Sequence, residues 1–222
     1  TLDDASAVMV QGDTTSAFAV ALGAFHRGIP VIHLEAGLRT FDKFNPYPEE
    51  FNRCSISSMA DIHLCPTISS AHNVMRHNNS NEGVHVVGNT VLDNLIDYNV
   101  KSEDFVLVTM HRRENHKMIQ DWFIQINHLA ATTPDLEFIL PLHPNPNVRK
   151  YEYLLTDVTV VDPLPYHECI DLVSRCKFLI TDSGGLQEES SFFGKRCIVC
   201  RKISERTEGV GDFAFMCPTP AD

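Results

Sequence analysis

The feature that most limits what this chain can fold into is an alternation of short apolar runs with amphipathic stretches, repeated along most of its length. That alternation argues for parallel strands joined by crossover helices. The first half reads as strand 7–11, helix 14–27, strand 30–35, helix 48–59, strand 61–65, helix 67–77, strand 84–87 and helix 91–99. No apolar period continues through the polar stretch 99–104, which marks the expected boundary between a domain of residues 1–100 and one of residues 101–222. The second half repeats the theme: strand 105–110, helix 117–132, strands 136–141 and 158–161, helix 166–176, strand 177–181, helix 184–194 and strand 196–200. Two α/β halves of similar size imply a cleft between them, where ligands are expected.

Composition removes several function classes. A net charge of -11, from 18 basic and 29 acidic residues, offers no basic stripe for a phosphate backbone, so no nucleic-acid partner is expected. No apolar run reaches the roughly 18 residues of a membrane span, and the first residues are not a basic and apolar leader, so a cytoplasmic protein without a membrane partner is expected. The seven cysteines are an odd number in a chain too large to need disulfide staples, and free thiols are the expectation. Cys197 and Cys200 have the spacing of a zinc or redox pair, but they lie in an apolar strand-like run with no second pair to complete a tetrahedral site, so no metal is expected. Asn78-Asn79-Ser80 matches a short, common glycosylation pattern and carries no weight. Neither G-x-G-x-x-G nor the Walker pattern occurs, so neither a redox dinucleotide nor a P-loop nucleotide is indicated, and no cofactor is expected.

Polar residues gather where the strands end, and the carboxyl ends of parallel strands are where ligands are met. Gln11-Gly12-Asp13-Thr14-Thr15 follows the first strand; a tight turn capped by Thr14 or Thr15 accounts for all of it except Asp13. In His33-Leu34-Glu35-Ala36-Gly37-Leu38-Arg39-Thr40, Glu35 closes a strand of Val and Ile, where a carboxylate is costly unless used or paired, with Arg39 the available partner. Pro48-Glu49-Glu50-Phe51-Asn52-Arg53 suits a helix start, and Glu49 and Arg53, four apart, can simply pair on its face.

The second half carries anion-binding groups. His111-Arg112-Arg113-Glu114-Asn115 ends a strand with groups that donate charge-assisted hydrogen bonds to a diphosphate; the plain alternative is a solvated charge run. His143-Pro144-Asn145-Pro146-Asn147 is a rigid turn after another strand, functional or merely a loop. Thr181-Asp182-Ser183-Gly184-Gly185-Leu186-Gln187-Glu188-Glu189 is a strand, a glycine turn and a helix start, whose bare amides form an anion site and whose Glu188 or Glu189 can hold ribose hydroxyls; a capped helix with acidic first turns is the alternative. Carboxylates in the first half and anion-binding groups in the second fit a sugar at one domain and a nucleotide diphosphate at the other.

In order and spacing these runs, with Gly88-Asn89-Thr90, resemble the non-hydrolysing UDP-N-acetylglucosamine 2-epimerases over nearly the whole chain. The resemblance implies an α/β, GT-B-like fold of two Rossmann-type domains, a homo-oligomer that in the family is usually a homodimer, and interconversion of UDP-GlcNAc with UDP-ManNAc by loss and re-addition of UDP. It places Asp13, Glu35 and Glu49 on the family's acid/base carboxylates and His111 on its histidine near the diphosphate. Ser183, Gly184, Gly185 and Glu189 fall on the nucleotide turn and ribose contact; Arg53, Arg112 and His143, within matched runs, are expected to contact substrate. Arg206 falls on an arginine beside the ligand, although Thr207 stands where the family usually has Pro. Family members are considerably longer and begin with a nucleotide loop, so the first domain is expected to be incomplete, to expose a sheet edge, and to make this chain alone a poor catalyst. The rival readings are a GT-B glycosyltransferase, which needs an acceptor, a hydrolysing epimerase, which releases free ManNAc, and an inactive UDP-sugar-binding remnant.

Overall fold

Ten apolar runs become strands of two all-parallel sheets in the computed structural model, which describes residues 4–206 and 209–221. The chain divides into two compact units, Thr1–Asn94 and Leu95–Asp222. Each unit is built round one sheet.

The first unit runs β1 (Val8–Gln11), α1 (Thr15–His26), β2 (Val31–Leu34), α2 (Glu49–Met59), β3 (Ile62–Cys65), α3 (Ile68–Asn78) and β4 (Val84–Val86), with strand order β1-β2-β3-β4. Two helix starts follow from side-chain caps. Thr14 accepts the amide of Ala17 at 3.2 Å, and Thr67 with Ser70 forms a reciprocal capping box. Alternate residues share a face, so Val8, Val10, Val31 and Cys65 line the covered side with the buried His33 and His63. Ala21, Ala24 and Ile56 pack on that side from α1 and α2, and Ala71 and Val74 from α3. The opposite face carries Met9 and Ile62, 59% and 37% exposed.

The second unit runs β5 (Phe105–Thr109), α4 (Ile119–Thr132), β6 (Glu137–Pro141), α5 (Pro146–Arg149), β7 (Thr159–Val161), α6 (Tyr166–Arg175), β8 (Phe178–Thr181), α7 (Gly184–Phe192), β9 (Arg196–Val199) and β10 (Ala214–Met216). Its strand order, β10-β9-β8-β5-β6-β7, reverses direction between β5 and β8. This is the doubly wound order, and its reversal point is where such sheets meet ligands. Every residue of β5 is buried, because helices cover both sides of the sheet. Trp122, Phe123 and Ile126 of α4 pack with Val106, Val108, Phe138 and Leu140 in the main core.

Two expectations differ from the structure, and one strand is added to them. The helix expected over 91–99 is a 3-10 turn at Thr90–Leu95, because Asp93, Asn94, Asp97 and Asn99 offer the backbone competing side-chain bonds; Val91 N–H already donates to Asn89 Oδ1 at 3.1 Å. The turn at 143–147 runs into the one-turn helix α5 (Pro146–Arg149), started by Asn145 Oδ1 accepting the Asn147 amide at 2.9 Å. Strand β10 lies beyond the last strand expected from the sequence, and it forms by pairing with β9. Cys197 and Cys200 are both buried at β9 as free thiols, in line with the strand reading. No helix among the described residues is long and apolar enough to cross a membrane.

Candidate functional site

In the first unit the strand ends gather carboxylates round one arginine. Gly12 turns the chain out of β1 with φ 66°, a conformation that favours glycine, and a Cβ there would stand 3.2 Å from Glu35 Oε2. Glu35 follows β2 rather than ending it, and it too is left-handed, at φ 61°. A non-glycine residue held this way is costly, and it brings the carboxylate over the Gly12-Asp13 turn. The turn is fastened from two further elements. His33 Nε2 lies 2.9 Å from the Gly12 carbonyl, and Asn52 Nδ2 donates to the Asp13 carbonyl at 2.8 Å.

Arg53 makes a close ion pair with Asp13 and lies 3.3 Å from the buried Glu50. Its side chain is only 5% exposed, so it faces carboxylates rather than solvent, and its i,i−4 neighbour Glu49 is not its partner. The Glu49 carboxylate makes no hydrogen bond or ion pair among the described residues. Arg39 does not point at open solvent either: its guanidinium donates to the Leu38 carbonyl and to Ser57 Oγ, both at 2.8 Å. Burial outweighs the hydrogen bond to the Gly12 carbonyl and lowers the His33 pKa to about 4, so this ring is neutral and serves as a fixed strut.

The second unit assembles its polar groups at the β5/β8 reversal point. Asp182, fully buried after β8, accepts the backbone amides of His111 at 2.9 Å and Arg112 at 2.8 Å, and Asn115 Nδ2 at 3.0 Å. One carboxylate thereby shapes the whole loop after β5. His111 Nδ1 stands 3.4 Å from Asp182 Oδ1, and the ring stacks on His143 with centroids 5.8 Å apart. Desolvation holds the His111 pKa below its ordinary value, with Arg112, His143 and His116 acting the same way and Asp182 opposing. The half-buried Arg112 guanidinium makes no hydrogen bond among the described residues.

Ser183 caps α7, accepting the Leu186 amide at 3.5 Å, and leaves the first amides of the helix bare. Arg206 lies across this start: it donates to Glu188 at 2.7 Å and Glu205 at 2.6 Å, and a Cβ on Gly184 would meet its Nη1 at 2.8 Å. The fully buried Arg201 holds Glu205 from the other side at 3.0 Å and also reaches Glu114 at 2.9 Å. Thr207, the position that departs from the family pattern, lies outside the described residues. Glu189 is buried further along α7 and accepts the Tyr166 hydroxyl at 2.7 Å; burial raises its pKa.

Sequence reading passed over Asp182, Asn115, Tyr166, Arg201 and Glu50 as site components. Asp182 carried a signal, a carboxylate at the end of an apolar strand, of the kind that singled out Glu35. Asn115, Tyr166 and Arg201 act across distances in sequence that only the fold reveals, whereas Glu50 meets Arg53 from three residues away on the same helix.

A profile of the family described as UDP-N-acetylglucosamine 2-epimerase matches residues 3–220. A Campylobacter jejuni protein named UDP-N-acetylglucosamine 2-epimerase is 39% identical, over 91% of this chain and 60% of its own. One of that name from Neisseria meningitidis serogroup A is 38% identical, over 91% and 61%. Among solved structures, an S. aureus protein in complex with UDP matches with a TM-score of 0.90 at 36% identity, covering 98% of this chain and 63% of that one. The N. meningitidis UDP-GlcNAc 2-epimerase bound to UDP-GlcNAc matches at 0.85 and 38% identity, covering 93% and 62%. The GT-B-like α/β fold of these structures is the one expected from the order of the motifs. The chain spans about three fifths of the length of the curated relatives it matches.

Proposed function

That the chain belongs to the UDP-N-acetylglucosamine 2-epimerase family is the premise from which we propose its function, inversion at C2 of a UDP-2-acetamido sugar, UDP-GlcNAc to UDP-ManNAc. The observation that carries this reading furthest is the β5/β8 reversal point, where bare α7 amides, Arg112 and His111 stand together at the end of a parallel sheet. Such a place suits a diphosphate. In this reading the Gly184 and Gly185 amides and Arg112 hold the diphosphate, and His143 and Arg206 flank it. Glu189, with one oxygen on Tyr166, takes a ribose hydroxyl with the other.

The proposed chemistry removes the C2 proton and expels UDP, leaving a bound 2-acetamidoglucal; UDP then returns and C2 is protonated from the other face. Asp13, Glu35 and Glu49 are the proton-transfer groups. A weakly acidic C–H needs a well-placed base and an electrostatically stabilised leaving group. The fastening of the Asp13 turn by His33, Asn52 and Arg53 supplies fixed placement for one of them. No step requires a redox cofactor. Action in the cytoplasm and a homo-oligomeric state belong to the same reading.

Incubation with UDP-GlcNAc in heavy water, followed by NMR at C2, tests it. Deuterium at C2 together with UDP-ManNAc is the expected result, and long incubation makes even slow turnover visible. A bound sugar nucleotide that keeps its C2 proton throughout would contradict the reading, and free ManNAc would replace it with a hydrolysing one.

A further inference from the structure

The Asp182–His111 pair carries a consequence beyond the binding of a diphosphate as such. A neutral imidazole has one N–H and one lone pair, and its neighbours decide which nitrogen holds the proton. His111 Nδ1 faces Asp182 Oδ1 at 3.4 Å. A lone pair there would oppose the carboxylate, whereas an N–H is attracted to it. The proton therefore sits on Nδ1, and Nε2 bears the lone pair. Nε2 has no partner among the described residues, and the side chain is 40% exposed, so a ligand can reach it. The stacked His143 is set the opposite way: its Nδ1 accepts the Asn145 amide at 3.2 Å, which leaves its proton on Nε2.

We propose that Asp182 is a positioning residue that presents His111 to the ligand as a proton acceptor, so that an arriving diphosphate draws one proton from solvent onto Nε2. The bond formed is Nε2–H, the proton comes from water or buffer, and it leaves again when the diphosphate is released. The titratable and charged groups acting on His111 are Asp182, Arg112, His143 and His116. Burial and the three basic neighbours keep the empty ring neutral near neutral pH; Asp182 alone pulls the other way. A diphosphate adds negative charge on the open side, and the balance then favours the imidazolium. The inference rests on the UDP-binding reading above, and under that reading it explains how a neutral histidine comes to stabilise a leaving diphosphate.

Titration calorimetry of the full 222-residue chain with UDP at pH 7.5, in PIPES and in Tris, counts the protons taken up on binding. Wild type is expected to take up about half a proton or more per UDP, as linkage requires when a group crosses from neutral to charged. His111→Asn should lose that uptake, and Asp182→Asn should reduce it. UDP affinity should fall as pH rises only where His111 is present. Binding with no proton uptake, or uptake undiminished in His111→Asn, overturns this inference and leaves UDP binding intact; no binding at all overturns both. Asp182→Asn replaces with an NH2 one oxygen of a carboxylate that accepts three N–H groups, and it can fail to fold. The ¹⁵N shifts of His111 in the wild-type chain then decide the matter: an Nδ1–H tautomer is expected, and a predominantly Nε2–H ring refutes the arrangement.

Discussion

At the scale of single residues, the groups proposed to meet a ligand are distinct from the groups that hold them in place. Asp13 and Glu35 are brought together by two left-handed residues, Gly12 and Glu35 itself, and by the Arg53 ion pair. Under the proposed chemistry, Asp13→Asn and Glu35→Gln should each lower the rate of C2 exchange by roughly 100-fold or more, the usual scale for loss of a general acid or base. UDP affinity should stay unchanged, since both residues belong to the first unit and the diphosphate groups to the second. Exchange assays paired with calorimetry check this, and a fully active Glu35→Gln protein would remove that residue from the mechanism. Arg53 shows where reading by residue type falls short. An arginine four residues after Glu49 suggested either a surface pair or a substrate contact, yet the fold turns it inward onto Asp13 and Glu50.

Among the elements, the strands and most helices were legible because their apolar periods are uninterrupted and their caps, Thr14, Thr67 and Ser183, are of the residue types that cap. Short pieces were not. The 3-10 turn at Thr90–Leu95 and helix α5 are set by local side-chain bonds from Asn89 and Asn145, and strand β10 by its pairing with β9. The motifs at strand ends could be read as candidates, but their convergence depends on strand order. Sequence shows that 111 and 182 each follow a strand; only the pairing of β5 with β8, Thr109 beside Thr181, makes them neighbours. The first sheet yields a prediction at this scale. His33 is buried and neutral, with its pKa depressed from 6.5 to about 4. As pH falls below 6.5 the unfolded chain binds a proton that the folded chain refuses, so stability is complete above that pH and declines towards 4. The slope from this one ring is up to roughly 1.4 kcal/mol per pH unit. Denaturant unfolding between pH 7 and pH 4 should show the decline, and a His33→Gln variant should show a shallower one; equal slopes would remove His33 as its source.

As a whole molecule, the chain pairs a second unit whose sheet is covered on both sides with a first unit whose sheet shows an uncovered side and the edge strand β1. Exposed edges and apolar sheet faces promote association. Light scattering of the 222-residue chain should therefore show concentration-dependent self-association, and Met9→Lys, on the exposed face, should reduce it without lowering thermal stability. A monodisperse monomer at high concentration would contradict this. The chemistry proposed for the whole rests on one physical claim, that the β5/β8 reversal point is a diphosphate site. Gly185 tests it most directly, because a Cβ there meets only Ser183 Oγ within 4 Å, at 3.9 Å, an ordinary contact, while it intrudes on the bare amides of α7. Calorimetry with UDP on wild type and Gly185→Val should give one site per chain and at least a roughly tenfold loss of affinity in the variant, about 1.4 kcal/mol, with unchanged thermal stability; equal affinity for UDP in the two proteins would contradict the account.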